Sequence, residues 1–126
     1  MAMKIFAHIA VCFVALAHFG FLVLEMFFWD HPVGREIFSL TAQQSADSAA
    51  LAANQGLYNG FLAAGLLWGL IRKNHGLTLF LLACVMVAGV FGAFTAKPSI
   101  FFTQAVPGAI AFAAMLLWQR RSPRDL

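Results

Sequence analysis

The chain has 126 residues, 62% of them hydrophobic and only 10% charged, with a mean hydropathy of +0.83. A soluble domain holds roughly 45–50% apolar residues, so this composition excludes an ordinary water-soluble globule and points to an integral membrane protein. The net charge of +3 and pI near 9.3 arise from basic residues at the ends of apolar runs, not along one face, which argues for topology signals and against a nucleic-acid surface.

Four apolar runs, at residues 5–29, 51–71, 77–94 and 100–118, are each long enough for a hydrocarbon core that needs about 17–25 helical residues. The expected fold is all-α, a single four-helix membrane bundle without a soluble domain. Near the start, Lys4, an apolar stretch and Ala15-Leu16-Ala17 resemble a secretory signal with its cleavage site. Apolarity continues for another twelve residues past Ala17, so the segment reads as a span. It carries two titratable groups, His18 and Glu25, seven residues apart, a spacing that returns to nearly the same helical face. A carboxylate inside a span costs roughly 2.5–3.5 kcal/mol at the bilayer centre by translocon scales, and less near the rim, so it implies a partner or a task.

After this run, His31-Pro32-Val33-Gly34 is a turn signal and residues 39–47 are rich in Thr, Gln, Ser and Asp. Ile37, Phe38 and Leu40, with Ala46, Ala49 and Ala50, could build a short helix on or against the bundle. Otherwise residues 30–50 read as a long loop. In the second run Asn54, Gln55, Tyr58 and Asn59 fall within an arc of about 140°. If the first run leads outward and the second returns, these four lie at the depth of Glu25, with His18 about 10 Å deeper by helix rise. The pairs Gly56/Gly60 and Gly65/Gly69, and Ala88/Gly92 and Gly89/Ala93 in the third run, let helices approach closely. They read first as packing faces within the chain, and alternatively as a homo-oligomer contact.

Asn74-His75-Gly76 and Lys97-Pro98-Ser99 are tight connections that favour antiparallel neighbours. In the fourth run Thr103 and Gln104 bring polar groups to the outer level, and Pro107 frees a backbone carbonyl there. Phe27, Phe28 and Trp29, Phe101 and Phe102, and Trp68 and Trp118 mark interfacial belts. Lys4, Arg72, Lys73, Arg120, Arg121 and Arg124 all fall on one side. Only Arg35 and Lys97 fall on the other, beside Asp30, Glu36 and Asp47. The positive-inside rule then puts both termini in the cytoplasm of a bacterial inner membrane and residues 30–50 outside.

Together these features predict a polar pocket open to the outer face. Glu25 and His18 would be its acid and base, and Asn54, Gln55, Tyr58, Asn59 and Gln104 would orient a small hydrophobic or lipid-like molecule, a quinone included. A carboxylate and an imidazole on one partly desolvated face suit proton transfer to such a molecule. Competing readings have Glu25 paired with Arg35 or with headgroups, His18 as a satisfied core histidine, and the amides as interhelical glue worth about 0.6 kcal/mol each. At the level of function the rivals are a proton-coupled transporter and an accessory subunit with a purely structural polar core. The apolar stretches below His18 disfavour a transport path.

No metal is expected, because His8 lies some 15 Å below His18 on the same helix and a carboxylate with amides is a weak ligand set. Cys12 and Cys84 sit in apolar surroundings and read as filler. The sequence contains no CxxC, zinc, Walker, GxGxxG or GxSxG pattern, and no cofactor is expected.

The run Leu51-Ala52-Ala53-Asn54-Gln55-Gly56-Leu57-Tyr58-Asn59-Gly60-Phe61-Leu62-Ala63-Ala64-Gly65-Leu66 follows His18 and the Leu24-Glu25-Met26-Phe27 segment with Trp29 and Pro32. With these residues the chain resembles an uncharacterised family of small bacterial four-span membrane proteins, domain-of-unknown-function family 1304. The resemblance implies the fold and the membrane location but carries no activity. Small multidrug transporters share the size and a glutamate in the first span, but here the glutamate is near the outer end and the charge bias fixes one orientation.

Overall fold

The computed structural model describes residues 1–121, and among these every regular element is helical. Arg124, counted above with the cytoplasmic charges, lies outside the described residues. Helix α1 (Ala2–Phe27) is one uninterrupted run, α2 (Pro32–Phe38) a short one, and α3 (Ala42–Ile71) the longest at 30 residues. Helix α4 (His75–Thr95) follows a tight turn. A π-helical turn (Phe101–Ala105) then leads directly into α5 (Val106–Arg121).

The boundaries follow local chemistry. His31 caps α2, its Nδ1 accepting from the Val33 amide at 3.2 Å, and Pro32 opens the helix where no amide donor is needed. Thr41 Oγ1 accepts from the Gln44 amide at 3.1 Å while Gln44 Oε1 accepts from the Thr41 amide at 2.9 Å. This reciprocal capping box starts α3. Asn74 Oδ1 accepts from the Leu77 amide at 3.0 Å and starts α4. Before α5 the Val106 amide reaches back five residues to the Phe101 carbonyl. The widened turn sits immediately ahead of Pro107, which has no amide hydrogen to continue an α-helical ladder.

Residues 30–50 are therefore more ordered than the sequence suggested. They are not mainly loop, because α2 occupies 32–38 and the first nine residues of α3, 42–50, extend that helix well beyond its apolar part. Three helical stretches are long and apolar enough to cross a membrane: Ala2–Phe27, His75–Thr95 and Phe101–Arg121, with hydropathies of 2.2, 2.5 and 1.6. The expected span at 51–71 is helical but falls short of that apolarity, because Asn54, Gln55, Tyr58 and Asn59 dilute it.

The chain divides into two compact units. The first comprises Met1–Ala15 and the chain from Gly65 onward. Within it α4 packs on α5 and on the π turn, and Leu82, Val85, Ala111 and Met115 are fully buried. The approach is closest at Gly89, where a Cβ would stand 2.6 Å from the Ala105 amide nitrogen. Only glycine leaves room for the backbone there. Gly69 likewise lies against Thr78 and Gly65 against Leu81, so this small-residue pair faces α4.

The second unit, Leu16–Ala64, holds the rest of α1, all of α2 and about the first three-quarters of α3. The end of this unit that carries α2 is tied by polar contacts. The Arg35 guanidinium donates to Asp30 at 2.5 Å and to Ser45 Oγ at 2.9 Å, and the Trp29 indole donates to Ser48 Oγ at 2.9 Å. Gly34 is buried where a side chain would run into the Phe28 and Trp29 carbonyls.

Candidate functional site

The second unit brings α3 against α1 through Gly56 and Gly60. A Cβ on Gly56 would stand 2.9 Å from Met26 Cγ, 3.0 Å from Glu25 Cβ and 3.1 Å from the Leu22 carbonyl, and one on Gly60 would run into Leu22. Close approach at small residues is what lets short polar side chains span two membrane helices. The residues beside these glycines, Gln55 and Asn59, both reach Glu25. Gln55 Nε2 donates to Oε1 at 3.1 Å and Asn59 Nδ2 to Oε2 at 2.7 Å.

Each carboxylate oxygen thus has one amide donor. Glu25 is 6% exposed and Asn59 9%, whereas Gln55 is exposed at the edge of the cluster. Arg35, the competing partner considered from the sequence, is instead turned to Asp30 and Ser45. Hydrogen bonds from Arg35, and then from Ser45, hold the Asp30 carboxyl below its ordinary range.

The other sequence candidates fall elsewhere. His18 is buried in α1, 1% exposed, with its ring edge-on to Phe21 at 5.2 Å. Seven residues of rise leave it about 10 Å from the level of Glu25. That separation is beyond direct hydrogen-bond reach, so the two side chains do not exchange a proton directly.

Asn54 and Tyr58 do not join the Glu25 cluster. The Asn54 amide donates to the Ala50 carbonyl of its own helix at 3.1 Å, and Tyr58 is 62% exposed with its ring against Phe61 at 5.9 Å. At 100° per residue, Gln55 and Asn59 are separated by one turn on the side of α3 marked by Gly56 and Gly60, while Asn54 and Tyr58 form the next row around. An arc of about 140° is wide enough to hold both rows, and packing on α1 selects one. Gln104 lies in the π turn of the first unit, half-buried.

The polar tie of Asp30, Arg35 and Ser45 was not anticipated from the sequence. The capping pattern from Thr41 to Gln44 was the signal that could have placed Ser45 on a helix. An apolar groove of about 510 Å³ runs along α4 in the first unit, lined by Phe80, Ala83, Cys84, Val87, Ala88 and Phe91. It has almost no polar group with which to orient a ligand. Among the described residues no group of three or more His, Cys, Asp or Glu side chains could hold a metal ion.

A buried carboxylate with one donor on each oxygen retains lone pairs for a further donor.

Residues 12–116 match the protein family of unknown function DUF1304, a stretch that contains His18, Glu25, Gln55 and Asn59. The uncharacterized protein YpaA of Lactococcus lactis is 27% identical over 118 residues, covering 90% of this chain and 97% of that protein. No solved structure matches the chain. With its family match extending over most of its length and through the Glu25 cluster, the chain belongs to the DUF1304 family.

Proposed function

We propose that this protein is a four-span inner-membrane protein, both termini cytoplasmic, in which Glu25 anchors the polar end of a small hydrophobic or lipid-like molecule entering from the outer side. The observation that carries this reading is the pair of hydrogen bonds donated by the Gln55 and Asn59 side-chain amides to a carboxylate buried in an apolar helix. An unused charge at such a place is costly, and gluing α1 to α3 needs no carboxylate. The glycines already bring the two helices together.

Helix α3 is the fourth span in this account. Its polar residues lower its hydropathy, but Gln55 and Asn59 are satisfied against α1. The concentration of Lys and Arg at one set of helix ends supports the orientation. His18, buried on the Glu25-bearing helix, is the group with which the bound molecule would exchange a proton, if it is long enough to reach about 10 Å inward.

The test is mass spectrometry of small molecules and lipids extracted from gently purified protein. A hydrophobic molecule should accompany the wild type and be lost from Glu25→Gln. A wild-type protein carrying nothing beyond bulk membrane lipid, in the same proportions as Glu25→Gln, would overturn the reading.

A further inference from the structure

In the first unit, one indole gathers groups from three helices. Trp118, in the last turn of α5, has the His8 ring of α1 edge-on at 5.0 Å and the His75 ring, at the start of α4, edge-on at 4.7 Å. The Lys4 ammonium stands 5.9 Å from its centroid, within cation–π range. His8 Nδ1 donates to the Lys4 carbonyl at 2.7 Å, which fixes the ring and leaves Nε2 outside that bond.

The charge pattern around this indole is one-sided. Among the described residues of this unit the basic side chains are Lys4, Arg72, Lys73, Lys97, Arg120 and Arg121, and none is acidic. Arg72 and Lys73 lie next to His75 in the chain and Arg120 and Arg121 next to Trp118, so five of these six belong to the Trp118 end; Lys97 follows the opposite end of α4. Such a convergence repels itself unless an anion is present. Gln119, the next residue of α5, has its Nε2 buried without a hydrogen-bond partner among the described residues.

All three helices meeting here are apolar enough to cross a membrane, so their shared end lies where headgroups lie. An indole with one ammonium and two imidazoles against it, and no acidic side chain among the described residues of its unit, fits a phosphodiester attached to an apolar body better than a free anion. We propose that the Lys4, His8, His75 and Trp118 cluster is a binding site for the phosphate of an anionic phospholipid. Lys4 and the neighbouring arginines supply charge, the imidazoles supply directed hydrogen bonds, and Trp118 fixes the depth of the glycerol region. This site is separate from Glu25 and does not depend on it.

The experiment is native mass spectrometry of the full chain released from bilayers of equal phosphatidylglycerol and phosphatidylcholine. The wild type should retain phosphatidylglycerol in preference. Lys4→Gln should lower that preference about fivefold, the worth of one basic residue at an anionic surface. Lys4→Arg should keep it, and Trp118→Leu should reduce it with every charge in place. Lys97→Gln and Glu25→Gln should leave it unchanged, which separates this site from the Glu25 reading. Equal retention of the two lipids by the wild type would overturn the proposal, as would a loss in Lys97→Gln as large as in Lys4→Gln, or an unaltered preference in Trp118→Leu. Saturation of the site by inorganic phosphate in pure phosphatidylcholine bilayers would show a free-anion site and overturn the lipid assignment.

Discussion

Asn59→Ala and Gln55→Ala should differ sharply although both remove one amide donor from the same carboxylate. The Asn59 bond is 2.7 Å long and both its ends are buried, so nothing replaces the lost donor on Oε2. Hydrogen bonds to charged groups are worth about 1.5–3 kcal/mol, and an orphaned buried acceptor costs a similar amount. The Gln55 bond is 3.1 Å and Gln55 itself is exposed, so water or a headgroup can stand in. Its loss should cost no more than the roughly 0.6 kcal/mol typical of interhelical bonds in membranes. Unfolding of the purified protein in mixed micelles, titrated with dodecyl sulfate and followed by circular dichroism, measures both. A double-mutant cycle of Asn59→Ala with Glu25→Ala isolates the pair and should give a coupling above about 1 kcal/mol. Equal costs for the two alanine variants, or a larger cost for Gln55→Ala, would refute the geometry on which the site rests.

Gly56→Ala should cost about 1–3 kcal/mol by overpacking, since its methyl meets Met26 and Glu25 at 2.9 and 3.0 Å. The same variant should also lose whatever ligand accompanies the wild type, because moving α3 outward withdraws both amides. Gly34→Ala has no flexible neighbour to displace, only the Phe28 and Trp29 carbonyls. It should raise amide hydrogen exchange through α2 while leaving the α4 and α5 amides unchanged. The Asp30 tie is pH-dependent with a definite sign. Its folded carboxyl is held below the ordinary range by Arg35 and Ser45, so its stabilisation is fully present above the usual aspartate value near 3.9 and fades as pH falls through the depressed folded value. Exchange across residues 32–45, corrected for intrinsic rates, should accelerate below about pH 4, and Asp30→Asn should show the faster exchange at neutral pH already.

Much of the architecture was legible because membrane helices announce themselves by continuous apolarity, as in α1, α4 and α5. The start of α3 was not, because apolarity begins near Leu51 while the helix begins at Ala42. The governing signal there is the capping box of Thr41 and Gln44, a local hydrogen-bond pattern that a hydropathy reading passes over. At the site, periodicity placed Asn54, Gln55, Tyr58 and Asn59 on one broad face but could not tell which row turns toward α1. Gly56 and Gly60 make that choice. They were read as a packing pair, and the residues beside them, Gln55 and Asn59, follow once α1 is the surface they pack on. Arg35 shows the converse. From the sequence it was weighed as a partner for Glu25, but the α2 turn aims it at Asp30, five residues before it.

The central claim is that a hydrophobic molecule from the membrane reaches Glu25. Labelling intact membranes with a lipid-soluble carbodiimide, followed by peptide mass spectrometry, tests this most directly, with a water-soluble carbodiimide as the comparison. The account predicts that the lipid-soluble reagent modifies Glu25 and that the water-soluble one modifies only exposed carboxylates such as Glu36 and Asp47. An unlabelled Glu25 in membranes where Glu36 and Asp47 react would contradict it.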